Sequence, residues 1–371
     1  MWNQTRVSEL LRIRYPIIQG PFGGGLSTIQ LTAAVSNAGG LGSFGAHQLS
    51  PAQIRKTVAA VRGLTARPFA MNLWIPLPGE AQLRLGPDEF SANVNRLQPF
   101  YDALGLSAPE CFETSTPRFD DQIQALLEAR PPVFSFVFGI PSRETLRALR
   151  QRAIKTIGAA TTVEEACALE EAGVDLIVAS GSDAGGHRPS FLEPAEKSLT
   201  GTFSLVPQVV DAVNTPIVAA GGIGDARGVV AALVLGAEGA QLGTVFLATH
   251  ESGASETHKA ELVSESARRT ALTRVFSGRM ARGIRNRFID EMSAHEMDVP
   301  PYPIQSWFTR SIRAAADEAG RAEYLPLWAG QAAALGHGRP AAVTFAALVE
   351  GTEHLLRSRT SPLAKGGSRA R

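Results

Sequence analysis

The stretch Leu176-Ile177-Val178-Ala179-Ser180-Gly181-Ser182-Asp183-Ala184-Gly185-Gly186-His187-Arg188 carries the plan of the chain in miniature. Its first four residues are apolar without interruption, which is how a strand buried on both faces reads. The run then gives way to glycines, as a strand end does where something approaches it closely. The same pattern recurs downstream at 217–220, followed by Gly221-Gly222-Ile223, and at 239–247, which contains Gln241-Leu242-Gly243-Thr244. Upstream, apolar runs occupy 16–19, 41–46, 69–74, 133–138 and 155–160. Amphipathic stretches lie between these runs, at 29–37, 51–62, 88–104, 143–152, 163–172, 205–213 and 226–235. Ser50-Pro51, and Ser142 with Glu144 soon after, are helix-start signals. Eight strands alternating with helices predict an α/β fold, a (β/α)8 TIM barrel, with a doubly wound open sheet as the second choice.

Two regions exceed a minimal barrel. Residues 76–130 read as a helix, an insertion (about 77–130) and a second helix over 120–129, placing a helical insertion after strand 3. From Glu256 a helical C-terminal extension is expected, broken by Pro300, Pro301 and Pro303. The organisation predicted is therefore a barrel over 1–255, an extension packed on it over 256–357, and a disordered, basic tail over 358–371.

Composition narrows the function. The 371 residues are 44% hydrophobic and 19% charged, which excludes wholesale disorder. Lys+Arg 36 against Asp+Glu 35 leaves a net charge of +1 and no basic footprint for nucleic acid. Cys111 and Cys167 fit neither a disulfide framework nor a zinc site, and are expected to be reduced and buried. The N-terminal residues lack the apolar core of a signal peptide, and no apolar run reaches the ~18 residues of a membrane span. A cytoplasmic protein without membrane or metal is expected.

Several motifs could carry chemistry. Gly40-x-Gly42-x-x-Gly45 matches the dinucleotide fingerprint as a string, but it follows a helix and lies on the next strand, so it reads as a helix end and tight packing. Gln19-Gly20-Pro21-Phe22-Gly23-Gly24-Gly25 ends the first strand, where glycines let a ligand approach the backbone. Ala220-Gly221-Gly222 and Gln241-Leu242-Gly243-Thr244 lie on strands 7 and 8, the usual phosphate position in such barrels. There main-chain N–H groups and the Thr244 hydroxyl make an anion site without lysine. His187, beyond two glycines at a strand end, has the right pKa to take a proton from a weak carbon acid; the alternative is a surface-loop histidine. Asp183 orients or caps that loop, and His47 follows strand 2 toward the mouth. Asn72, a polar amide in an apolar strand, needs partners either in the neighbouring backbone or in a planar heterocycle. P-loop, His-Glu-x-x-His and Gly-x-Ser-x-Gly motifs are absent.

Taken together, these residues resemble the nitronate monooxygenase family, long called 2-nitropropane dioxygenases. The matching pieces are Pro16 to Pro21, Asn37 to Gly42, Ser135 to Pro141, Asp183 to His187, Ala220 to Ile223 and Gln241 to Thr244. Phe276-Ser277-Gly278-Arg279 and Leu327-Trp328-Ala329-Gly330-Gln331 also match, so the similarity runs in order over roughly residues 14 to 335. The resemblance implies an FMN-dependent barrel enzyme that oxidises alkyl nitronates with O2 and without NAD(P)H. It puts FMN contacts at Gly20, Pro21, Phe22, Asn72, Ser180, Gly185, Gly186, Gly221, Gly222, Gln241, Leu242, Gly243 and Thr244. The catalytic histidine falls on His187, which would act as base toward a neutral nitroalkane. The class also leaves room for a homodimer. Ser180 stands where the family often has Gln, Asp183 for Glu, Pro189 for Gly and His47 for Tyr; these departures bear on substrate more than on FMN.

Two other functions compete. An FMN-dependent enoyl-thioester reductase would oxidise NAD(P)H rapidly. A non-catalytic FMN- or phosphate-binding barrel would bind flavin without turnover.

Overall fold

Eight parallel strands wind in one direction around a common interior in the computed structural model, which describes residues 1–80, 83–112 and 117–360. In chain order the strands are β1 (Ile17–Gln19), β2 (Gly42–Gly45), β3 (Phe69–Trp74), β4 (Val133–Val137), β5 (Lys155–Ala160), β6 (Leu176–Ser180), a two-residue β7 (Gly186–His187), β8 (Ile217–Ala220) and β9 (Gly239–Leu242). Without β7 they pair in the order β1-β9-β8-β6-β5-β4-β3-β2. A bridge between Ile18 and Leu41 brings β2 back to β1. Gln19 reinforces that seam, since its side-chain oxygen accepts the Ser43 N–H at 2.8 Å. The result is the (β/α)8 barrel that the strand–helix alternation predicts.

Alternation along each strand divides the core. On β6, Leu176 and Val178 face the barrel interior, while Ile177 and Ala179 face the helices. Val7, Leu11 and Ile13 of the N-terminal segment plug the interior from its N-terminal end. The Gly40/Gly42/Gly45 string is indeed a packing device: a Cβ on Gly42 would lie 1.9 Å from the Thr32 carbonyl oxygen of the helix Ile29–Asn37.

The insertion and the extension build a second cluster together. Leu97, Phe100 and Tyr101 of the helix Pro87–Ala103 pack with Phe288, Ile304, Phe308 and Tyr324 of the extension. Tyr101 Oη donates to the Phe308 carbonyl at 2.9 Å, and Asn93 donates to Gln305 at 3.1 Å. The second insertion helix, Phe119–Ala129, instead packs on the barrel helix Pro51–Leu64 through Ile123 and Leu126.

Several details depart from the sequence reading. The run 239–247 is not one strand, because Gly243 turns the chain into a short helix, Thr244–Leu247; a continuous apolar run suits a buried helix as well as a strand. The extension also holds two strands, β10 (Thr270–Thr273) and β11 (Ala281–Ile284), which form an antiparallel sheet with β7. Cys111 and Cys167 are exposed rather than buried. Of the tail expected from 358, residues 358–360 end the helix Ala341–Thr360, and 361–371 lie outside the described residues. Among the described residues no helix is long and apolar enough to cross a membrane.

Candidate active site

A cavity of about 910 Å³ opens at the C-terminal ends of the barrel strands, and residues of the extension complete its wall. One end is main chain. Gly221 and Gly222 follow β8 with φ of +103° and +67°, and a Cβ on Gly221 would fall 2.7 Å from Thr202 Oγ1 and 3.0 Å from the Ala184 nitrogen. Only glycine fits, and its bare amides face a space bounded by Gly243 and Thr244. Thr244 Oγ1 accepts the Gly330 N–H at 2.9 Å, so the hydroxyl proton remains available to a ligand. Asp183 braces this end from behind: its carboxylate accepts the Thr202 N–H at 2.7 Å and its carbonyl the Gln331 N–H at 2.9 Å. Such a nest of amides accepts a phosphate without a basic side chain. The cradle therefore fits the phosphate of a flavin mononucleotide, and the adjoining cavity has room for its ring.

The other end is side chain. His187 is anchored by β7, whose pairing with β11 sets His187 opposite Ala281. Its Nε2 lies 2.9 Å from Ser277 Oγ. The single Ser277 hydroxyl proton is donated to the Arg279 carbonyl at 3.0 Å, so Ser277 accepts from His187 and Nε2 carries the hydrogen. Nδ1 is then the basic nitrogen, and no described residue engages it. Burial, and next the nearby Arg313 charge, lower the His187 pKa to about 4, well below the near-neutral value expected from its type, so the ring is neutral at pH 7.

Aromatic groups wall this end. Trp74 meets His187 edge-on at 5.0 Å and carries His47 stacked flat on its other contacts at 3.8 Å. Burial, then His187 and Arg279, lower the His47 pKa to about 3. Trp328 lies 5.2 Å from His187. Phe138 enters in a left-handed conformation (φ 70°), a strained setting for a bulky residue. The Arg279 guanidinium rests 4.1 Å over Phe138 and 4.5 Å over Tyr302, and pairs with Glu80 of the insertion. Arg313 is different. It donates to the Ser306 carbonyl at 2.8 Å and hydroxyl at 3.3 Å, and among the described residues no carboxylate pairs with it. Burial, then Arg310, lower its pKa to about 10, so it remains a cation.

The predicted residues converge here with one exception. Gly20, Pro21, Phe22, Asn72 and Ser180 line the cavity, as do Gly185, Gly186, His187, Gly221, Gly222, Gln241, Gly243 and Thr244. Strand alternation turns the Leu242 side chain into the core, and its carbonyl is taken by the Gly20 N–H at 2.8 Å. Asn72 finds its partner in a side chain rather than in the neighbouring backbone, donating to Ser135 Oγ at 3.0 Å, and it lines the cavity. Sequence reasoning missed Trp74, Phe138, Tyr302, Ser277, Arg279 and Arg313. Ser277 and Arg279 lay in a quoted motif without a role; Trp74 lay two residues from Asn72.

Comparison with known proteins agrees with this geometry. The family model described as nitronate monooxygenase matches residues 4–350. A probable nitronate monooxygenase of Staphylococcus aureus (strain MSSA476) is 45% identical over 343 residues, 92% of this chain and 95% of the relative. The structure of nitroalkane oxidase from Streptomyces ansochromogenes superposes with a TM-score of 0.87 at 36% identity, covering 96% of this chain and all (100%) of that one. FabK from Thermotoga maritima superposes with a TM-score of 0.75 at 29% identity, covering 96% and 98%. With that breadth of match, the chain belongs to the nitronate monooxygenase family, a family of flavin-dependent oxidoreductases.

Proposed function

We propose that the protein is an FMN-dependent monooxygenase that oxidises alkyl nitronates with O2 and without NAD(P)H, and takes neutral nitroalkanes after His187 has deprotonated them. The observation that carries this reading is Arg313. A half-buried guanidinium that no carboxylate among the described residues pairs with, beside a neutral histidine, is an incomplete ion pair that an anionic substrate completes. A nitronate is such an anion.

Bound FMN would supply the two-electron oxidation and the reaction with O2. Main-chain amides at Gly221, Gly222 and Gly243, with the Thr244 hydroxyl, would hold its phosphate, and Asn72 and Gln241 would face its ring. The protein's remaining work is positioning and proton transfer. Arg313 draws the nitronate oxygens, and Trp74, Phe138 and Trp328 exclude water around the carbon chain. With a neutral nitroalkane, His187 Nδ1 takes the α-proton, and Ser277 keeps that nitrogen basic by accepting the Nε2 hydrogen.

Oxygen uptake by the FMN-loaded protein tests this. Rapid uptake is expected with a preformed alkyl nitronate and no NAD(P)H. His187→Ala should leave that rate within a few-fold while lowering turnover of the neutral nitroalkane by roughly 10²–10⁴, the usual cost of losing a general base. No uptake with nitronate, together with rapid NAD(P)H oxidation by an enoyl thioester, would replace this reading with a reductase.

A further inference from the structure

His187 stands on a loop that leaves the barrel at the end of β6 and regains order in β7. The next residue, Arg188, turns away from the cavity and is 4% exposed. Its guanidinium reaches back across the loop. Nη1–H donates to the Ser180 carbonyl at 2.5 Å, which ties one end of the loop to the other. Nε–H donates to the Ser198 carbonyl at 2.9 Å, and Nη2–H reaches the same oxygen and the Thr161 carbonyl at 3.4 Å. These acceptors lie at the end of β6, beyond β5, and in the segment leading to the helix Thr202–Ala212. All three residues are buried, so water does not take the arginine's place.

Other buried charges hold the same loop and the chain that follows it. Arg282 Nε–H donates to the Ser182 carbonyl at 3.0 Å. Glu165, fully buried, accepts from the Thr161 N–H at 2.6 Å, the Phe191 N–H at 2.5 Å and the Leu192 N–H at 3.1 Å, fixing the chain just after Arg188. Two cations, Arg188 and Arg282, thus stand among two anions, Glu165 and Asp183. None of the four lines the cavity, so none touches substrate or flavin.

We propose that Arg188 is a positioning residue for His187: by closing the neck of the loop between Ser180 and Arg188, it sets where the basic nitrogen stands relative to the substrate. The inference rests on His187 acting as the base. A guanidinium is required because its forked donors reach separate carbonyls at once, which the single ammonium of lysine does not.

Arg188→Lys keeps the charge and removes the fork. In FMN-loaded protein, the kcat for a neutral nitroalkane should fall about 10- to 100-fold, while kcat/KM for the preformed nitronate and the FMN dissociation constant, read from flavin fluorescence, should each move less than about threefold. Amide hydrogen exchange over 181–189 should speed up, with the barrel strands unchanged. Equal losses on both substrates would overturn the proposal in favour of general damage, as would unaltered exchange in the loop. Glu165→Gln, which keeps the shape of the side chain and removes its charge, should show the same selective loss at smaller size; no selectivity in it and in Arg188→Lys alike would also overturn the proposal. Should His187→Ala spare nitroalkane turnover, the base assignment itself fails, and the exchange measurement still reports separately whether Arg188 closes the loop.

Discussion

At the β8–β9 end of the cavity the ligand-facing surface is main chain, from Gly221, Gly222, Gly243 and Thr244, and the charge it offers is that of fixed N–H dipoles. At the β3–β7 end it is side chain: His187, His47, Trp74, Tyr302 and Arg313. The first surface has nothing to titrate, and the phosphate proposed for it would be recognised by shape and amide direction. The second holds two histidines with strongly lowered pKa values and a cation, Arg313, that no carboxylate among the described residues pairs with. On the proposed function, the division separates cofactor retention from substrate chemistry. A barrel keeps the first end and acquires different reactions by changing the second, as loops at the C-terminal face of such barrels permit.

If the ends are separate, a lesion at the phosphate end should cost flavin before it costs anything else. Gly221→Ala puts a Cβ on a residue at φ +103° and against Thr202 and Ala184. Strain of this kind costs about 1–3 kcal/mol, which predicts roughly 5- to 150-fold weaker FMN binding. Purified Gly221→Ala should therefore lose most of its flavin absorbance. Gly63→Ala, where a Cβ meets nothing within 4 Å, should retain it. Full flavin content in Gly221→Ala, with normal affinity, would show that the cradle is not where the phosphate sits.

The other end should respond oppositely. Arg313→Gln removes the cation and retains hydrogen-bonding atoms. A charge-assisted bond contributes about 1.5–3 kcal/mol, so the nitronate KM should rise at least roughly tenfold with flavin content unchanged. The sign of the accompanying pH effect follows from the causes of the His187 shift. Burial is the larger cause and remains, but the positive neighbour is gone, so the His187 pKa rises from about 4 without regaining 6.5. The acid limb of kcat/KM for a neutral nitroalkane should move to higher pH in the variant. An unmoved KM would remove the observation on which the proposed substrate rests.

The same division explains what could be read from the sequence. Buried parallel strands are unbroken apolar runs, so β3 and β5 are legible to the residue, and the glycine turns beyond β6 and β8 are local signals beside their strands. The helix Thr202–Ala212 begins earlier than its apolar pattern, because its first amide is capped from Asp183, nineteen positions upstream in the chain; no local cap announces it. The chemistry end depends on such distant pairings. Ser277 meets His187 across 90 residues, and Arg279 meets Glu80 across the whole barrel, so their types were visible but their partners were not. β10 and β11 escaped notice because four-residue strands separated by a loop have too little alternation to detect.

Acid should expose the smallest difference between the ends. His47, His187 and His258 are held at pKa values of about 3, 4 and 4, each chiefly by burial, whereas an unfolded chain binds a proton at each near 6.5. Their folded values are depressed, so below pH 6.5 the unfolded state takes up more protons and stability falls as pH falls. Each histidine contributes a slope of at most about 1.4 kcal/mol per pH unit. Between about pH 6.5 and 5 the carboxylates are still ionised, so this window isolates the histidines. His47→Phe keeps a ring stacked on Trp74 and removes one titrating group. Its melting temperature should accordingly decline less steeply than that of the wild type across that window, by about one third of the histidine-dependent slope. Identical slopes would mean that the imidazole stacked on Trp74 titrates in the folded state as it does in the unfolded chain, and that the chemistry end admits enough water to charge it.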